Sequence, residues 1–198
     1  MAPHTPAEDD APDGRSIVEA QLRECFGRTV YSHKTHEKCA DIALEQLSHI
    51  KVTQIVLSAI TTGGILAVVF GPPDKSHAAA AVAAVVSTAL LALNAYTKEN
   101  DLGRIAQTHK EAADKLWNIR ESYLSLLTDL RAGILPLAEV RDRRDVLQVA
   151  LNAAYLAAPR TSGAGYKRAQ KALKVSEDLT FTDAEIDQFL PAPLRRIN

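Results

Sequence analysis

The side chains able to do chemistry in this sequence are few, and their spacing limits what each can do. Ser58, Thr61, Thr62, Ser87, Thr88 and Asn94 lie in two stretches that hold no charged residue. Hydroxyls and amides gathered on one face of an assembly can line a narrow wet path without the cost of a buried charge. Helix packing is the competing use of the same region. Ala59, Gly63 and Ala67 recur every four residues, as do Ala80, Ala84, Thr88 and Ala92, the small-residue spacing that lets membrane helices approach closely. With no Asp, Glu, Lys or Arg in either stretch, no ion selectivity can be argued.

Elsewhere the candidates are scattered. His36 and His109 fall on helical seams and could face one another as a metal pair or a pH switch. No carboxylate–histidine spacing supports a metal site, and a seam histidine ordinarily finds a hydrogen-bond partner. Trp117, Arg120 and Tyr123 could stack on and pair with a nucleotide, or serve as core and interface anchors. Arg160, Thr161 and Ser162 precede a helix start whose amides could receive a phosphate, and Ser162 has the chemistry of a plain N-cap. Arg141–Asp145 reads as a solvated face with internal ion pairs. Asp183, Glu185 and Asp187 suit the dipole at a helix start. There is no nucleophile–base arrangement, glycine-rich phosphate loop or acid–base carboxylate pair, so no catalytic, cofactor or metal residue is assigned and an enzyme is not expected. Cys25 and Cys39 form no CxxC pair. On one helix they lie roughly 21 Å apart at about 1.5 Å per residue, too far to bridge each other.

The elements that hold these residues are helices. Val52–Phe70 and Ala78–Tyr96 carry no charged side chain. Each, at about 19 residues, makes a helix of roughly 28 Å, close to the hydrocarbon thickness of a bilayer. Gly71–His77 between them is a breaker-rich turn, so the pair reads as a transmembrane hairpin. Val52, Ile55, Ile60, Leu66 and their neighbours favour insertion of the first span by several kcal/mol. The second is dominated by alanine, marginal alone, and needs the first beside it. A soluble bundle with this hairpin buried all round is the alternative. Lys34, Lys38 and Lys51 precede the first span, and Lys98, Arg104, Lys110 and Lys115 follow the second, whereas the turn holds only Lys75. That asymmetry places both termini in the cytosol.

Ser16 and Glu19 have capping-box spacing for a helix that leads into the first span. Past the second, Leu102, Ile105, His109, Ala112, Leu116, Ile119, Tyr123, Leu126 and Leu130 alternate three and four apart. The second span is therefore expected to continue as a long cytosolic helix with a coiled-coil-like seam, packed on the N-terminal helix, on a neighbouring protomer, or on both. Gly133 ends that helix and Pro136 opens the next, to about Ala158. Further helices follow from Ala164 to about Val175 and from a Thr182–Glu185 capping box to Pro191. The expected class is all-α, divided into a tail (1–14), an N-terminal helix (15–51), the hairpin (52–96), a coiled-coil-like helix (97–132) and a C-terminal helical region (133–198). The 24 acidic and 23 basic side chains leave a net charge of -1, which argues against nucleic acid as a partner. The tail, rich in Pro, Asp and Ala, reads as neither a signal peptide nor a structural element.

In order and spacing, five segments carry a resemblance: KTHEKCADIA (Lys34–Ala43) ahead of the two spans, HKEAADKLWNIRESYLSLLTDL (His109–Leu130), RDRRDVL (Arg141–Leu147), APRTSGAGYKRAQKAL (Ala158–Leu173) and LTFTDAEIDQFLP (Leu179–Pro191). Together with the hairpin they resemble the SLATT family, two-transmembrane effector domains associated with SMODS nucleotidyltransferases and SLOG nucleotide-sensing domains in bacteria. The resemblance implies an effector of a bacterial conflict system, in the inner membrane. A nucleotide-derived activator, made or sensed by a separate synthase or sensor protein, would switch it on. It would then assemble as a homo-oligomer, permeabilise the lipid bilayer and halt phage propagation by disabling the cell.

Overall fold

No proline interrupts the chain between Gly14 and Phe70, and one helix, α1, runs through all 57 of these residues. The computed structural model describes residues 14–196; apart from Gly14, the expected tail lies outside them. Because α1 is helical from Gly14, Ser16 sits inside it and does not head it. Glu19 pairs instead with Arg131 at 2.7 Å and with Arg23 at 3.7 Å, which corrects the capping box expected there. Gly27, Gly63 and Gly64 cost about 1 kcal/mol each relative to alanine, too little to break so long a ladder.

α1 ends at Gly71–Pro72. A Cβ at position 71 would collide with the Ala67 carbonyl oxygen, so glycine is required where the chain turns. Pro73 then opens α2 (Pro73–Glu99), at the position where a missing N–H costs nothing. The turn between the spans is thus shorter than the seven-residue segment expected. α2 does not continue into the next helix, a second correction. The Asn100 backbone and side-chain amides both donate to the Tyr96 carbonyl, at 2.9 and 3.1 Å. Asp101 accepts from the Arg104 amide at 2.9 Å and starts α3 (Leu102–Ala132). Short polar side chains that bond the backbone compete with the helical ladder, and two in succession interrupt it.

α3 closes on Gly133, in the left-handed region at φ 71°. The amides of Gly133 and Ile134 donate to the carbonyls of Leu130 and Asp129, at 3.2 and 3.1 Å, the paired bonds of a Schellman stop. After Pro136 come α4 (Leu137–Ala157), α5 (Gly163–Lys174) and α6 (Asp183–Phe189), with a 3-10 turn at Ala192–Leu194. α6 carries the expected capping box: Thr182 Oγ1 accepts from the Glu185 amide at 3.3 Å, and the Glu185 carboxylate accepts from the Thr182 amide at 2.8 Å. Those bonds to Thr182 hold the Glu185 pKa below its usual range. Among the described residues there is no strand.

The chain forms two units. Among the described residues, a terminal unit takes those up to Glu37 and from Glu111 onward, and a hairpin unit takes Lys38–Lys110, so α1 and α3 each supply residues to both. The terminal core brings Val18, Leu22 and Cys25 of α1 against Leu116, Ile119, Tyr123, Leu126 and Leu130 of α3, with Val140 and Ala154 of α4. Each fully buried leucine stabilises the unit by about 1.5–3 kcal/mol. Around it, Arg144 donates to the Gln21 side chain at 2.7 Å, and Arg15 donates to the Leu130 carbonyl.

Of the partners expected for the α3 seam, this core supplies the N-terminal helix. Leu116, Ile119, Tyr123, Leu126 and Leu130 are buried inside their own chain, and Leu102 and His109 are buried too; of the seam only Ile105, 40% exposed, stays open. The α1 stripe of Val18, Leu22 and Cys25 meets the seam within the same chain.

Candidate functional site

The two apolar spans lie in the hairpin unit and contact each other along one face. On α1 the partly buried positions are Gln54, Leu57, Thr61 and Gly64; on α2, Ala79, Ala83, Val86, Leu90, Leu93 and Thr97 are partly or fully buried. Both rows step by three and four, the geometry of a left-handed helix pair. Gly64 sets the closest approach, since a Cβ there would stand 3.0 Å from Ala83 Cβ. Gln54 Nε2 donates to Asn94 Oδ1 at 2.8 Å across the pair.

The small-residue rows expected to pack lie beside this seam. Ala59, Gly63, Ala67, Ala80, Ala84 and Ala92 are all exposed, and a Cβ on Gly63 would meet nothing within 4 Å. The hydroxyls are spread as well. Thr61 sits at the seam, whereas Ser58, Thr62, Ser87 and Thr88 are exposed. Ser58, Thr61, Thr62 and Thr88 each donate to the carbonyl four residues back, at 2.7–2.9 Å. Their protons are satisfied within their own helices, as a lipid environment demands. Asn94 is the one of the six candidate polar residues whose side chain crosses to the other span.

Apart from Thr53 and the Tyr96 hydroxyl, the rest of the exposed surface of the two spans is apolar. Ile55, Val69, Phe70, Val85 and Leu91 are 63–81% exposed, and no residue in the most apolar 18-residue stretch of α1 is buried. A soluble bundle would have covered these side chains. Contiguous exposed apolar surface of this kind belongs against lipid.

In the terminal unit a cavity of about 510 Å³ opens between α1 and the segment joining α4 to α5. Tyr31, Thr35 and His36 line it from α1; Tyr155, Arg160 and Tyr166 line it from the other side. The rings of Tyr31 and Tyr166 stack at 6.1 Å between centroids, and Tyr155 shares a 2.8 Å hydrogen bond with Ser32. Ser162 caps α5, its hydroxyl accepting from the Gly165 amide at 3.0 Å. Of the candidate ligand contacts, Arg160 and its neighbour Thr161 line this cavity. Arg120 lies 5.9 Å from the Trp117 ring centroid and pairs with Glu121 at 2.7 Å, while Tyr123 is part of the core. The tyrosine cluster was not foreseen; nothing in the local pattern around any of the three marks it.

A family model, SMODS and SLOG-associating 2TM effector domain family 4, matches residues 18–185. The match takes in both spans, the terminal core and the cavity. The chain belongs to this family. Among curated proteins and among solved structures nothing matches. Membrane residence thus rests on two independent grounds, the exposed spans and the two-transmembrane family.

In this SLATT chain the approach to the first span, Lys34–Ala43, is unusually polar for a buried segment. Lys34 is 7% exposed, with its Nζ 2.9 Å from Asp178 and 3.0 Å from Glu37. Burial alone would lower its pKa, but the bonds to Asp178 and Glu37 outweigh that and raise it. The charged lysine so ties the α5–α6 connection to α1. Next to it, His33 Nε2 is 3.7 Å from Glu37, and Nδ1 has no hydrogen-bond partner. Burial lowers the His33 pKa, with Arg120 and Lys34 adding to the effect and Glu37 and Asp114 opposing it. Burial likewise lowers that of His109 in the hairpin unit.

A histidine with a depressed folded pKa takes up its proton more readily when unfolded. Stability is therefore undiminished above the unfolded pKa of about 6.5 and falls as pH drops below it. The thermal midpoint in detergent is expected to decrease from pH 7.5 to pH 5.5, and His33→Gln should flatten part of that slope, His109 supplying the remainder. A midpoint that rises on acidification, or a slope unchanged by His33→Gln, would contradict this assignment. Among the described residues no group of three or more His, Cys, Asp or Glu could hold a metal ion, and Cys25 and Cys39, both buried, are not joined in a disulfide.

Proposed function

We propose that this chain is a membrane effector of a nucleotide-signalled bacterial antiphage system. It sits in the inner membrane with both termini cytosolic, assembles with copies of itself, and permeabilises the bilayer. It carries out no catalytic step and needs no cofactor; its activator is a nucleotide-derived signal supplied or sensed by a separate protein. The observation that carries this reading is the outward-facing apolar hairpin in a chain of the two-transmembrane effector family. The charge asymmetry across the spans supports the orientation. The open rows of Ala59, Gly63 and Ala67 and of Ala80, Ala84 and Ala92 support assembly, because they leave a smooth face on each span for another helix.

A second reading, a non-conducting anchor that recruits a cytosolic partner, draws on the span hydroxyls. Four of them are satisfied within their own helices and need no water. Inducing the full chain in bacterial cells loaded with a potential-sensitive dye separates the two. The effector is expected to collapse the membrane potential and arrest growth, once overproduced or activated. A membrane-retained chain that leaves the potential intact, at high expression and during phage infection, would favour the anchor.

A further inference from the structure

The connection from α5 to α6 is strained where it meets α1. Glu177 has a φ of 52° and is the one non-glycine residue with positive φ among the described residues. That conformation is disfavoured for a residue carrying a Cβ, and it persists only where the surroundings over-determine it. Here the Ser176 and Asp178 amides donate to the carbonyls of Lys171 and Ala172, at 3.2 and 3.1 Å. The Asp178 carboxylate then meets the buried Lys34 ammonium of α1 at 2.9 Å. We propose that residues 175–196 form a releasable strap, fastened to α1 by the Lys34–Asp178 pair across the strained turn at Glu177.

Apolar packing holds this segment weakly. Leu179 and Leu190 are half-buried, whereas Phe181, Ile186, Phe189 and Leu194 are exposed, Phe189 at 85%. α6 buries only Asp187, whose carboxylate accepts from the Arg196 amide at 3.1 Å, a bond within the strap itself. α5, just ahead of it, buries Gly165, Ala169 and Ala172, so the detachable part begins after α5. A segment with few buried apolar contacts opens at low free energy. The fastening is suited to a choice between two states. Desolvating both charges of a buried pair offsets much of their attraction, yet losing one partner leaves the other unmatched. Lys34 escapes that penalty when the strap leaves, because Glu37 of α1 also pairs with it, at 3.0 Å. Lys34 stands on the continuous helix that supplies the first span. The inference goes beyond the effector reading by naming a moving part. It rests on that reading only for its consequence, in which the fastened strap is the resting form and release favours the active one.

Hydrogen–deuterium exchange of the full chain in nanodiscs tests the strap, read at the Ser176, Asp178 and Thr180 amides, each bonded within the connection. Asp178→Asn keeps the size of the side chain and removes its charge, and should speed their exchange at least about tenfold. Glu177→Gly adopts positive φ without the steric cost and should slow it about threefold. In both variants the core amides of Leu116 and Leu126 should exchange as in the parent chain. Opposite shifts confined to the connection are not what a misfolded variant gives. Unchanged exchange in Asp178→Asn, acceleration that spreads to the core amides, or faster exchange in Glu177→Gly would overturn the strap. Membrane potential in expressing cells reads the consequence separately. Asp178→Asn should collapse it at lower expression than the parent requires, and Glu177→Gly only at higher. Equal thresholds alongside the exchange shifts would overturn the resting-form role. A parent chain that never depolarises cells would end the effector reading, while exchange still decides the strap.

Discussion

Gly64→Leu is expected to pry the two spans apart, while Gly63→Leu, one residue earlier, leaves them packed. A Cβ on Gly64 would already stand 3.0 Å from Ala83 Cβ and 3.6 Å from the Ala79 carbonyl oxygen. Leucine adds three more carbons to that contact, and overpacking of this kind costs about 1–3 kcal/mol. At Gly63 the same side chain points where nothing lies within 4 Å of the Cβ. Both substitutions gain the same helix propensity, worth up to about 1 kcal/mol, so the difference between them isolates the contact. Thermal unfolding of the two variants in one detergent should give a clearly lower midpoint for Gly64→Leu. Equal midpoints would mean that the spans do not meet at this face.

The terminal core is expected to depend as strongly on Tyr123. Its side chain is fully buried among Leu22, Cys25 and Leu126 in the α1–α3 cluster, and its hydroxyl makes no hydrogen bond of normal geometry. Burial, aided by the Cys25 thiol, pushes its pKa up to about 12. Tyr123→Ala removes a large aromatic group and should cost about 3–5 kcal/mol. Tyr123→Phe keeps the ring and discards an unsatisfied hydroxyl, a change that leaves stability level or slightly raised. Chemical denaturation of the full chain checks the pair, and a phenylalanine variant as damaged as the alanine one would show that the hydroxyl has a partner after all.

What could be read from sequence and what could not divides along physical lines. The spans were legible because a run without charge, long enough to cross a bilayer, has few other uses in a helical chain. The stops at Gly133 and the start at Thr182–Glu185 were legible because each depends on side chains within a few residues of the break. Ser16–Glu19 misled for the converse reason: the same spacing occurs inside a helix whenever the residues ahead of it are also helical. The interruption at Asn100–Asp101 was hidden by the heptad row that begins at Leu102 and invites extrapolation backward. That row also announced a need for a partner without identifying one, and the α1 stripe of Val18, Leu22 and Cys25 meets the need within the chain.

At the candidate site, the two spans of one chain meet at Gly64, and the four-residue row of Ala59, Gly63 and Ala67 stays open beside that contact. Small residues permit close approach on any face, and the phase between two helices is set by the bulky side chains around them. The cavity was out of reach for a different reason. Its walls come from α1 and from the α4–α5 segment, 123 positions apart at the Ser32–Tyr155 hydrogen bond. Only Arg160 and Thr161, next to a helix start, carried a local signal.

All of this turns on whether the hairpin lies in lipid, and one fractionation addresses that directly. Membranes from bacteria expressing the full chain would be washed at alkaline pH, and the chain followed in pellet and supernatant. Two embedded spans predict that it stays in the pellet and leaves only when detergent is added. Release into the alkaline wash, or recovery in the cytosol as a soluble protein, would contradict the membrane hairpin and with it the effector function.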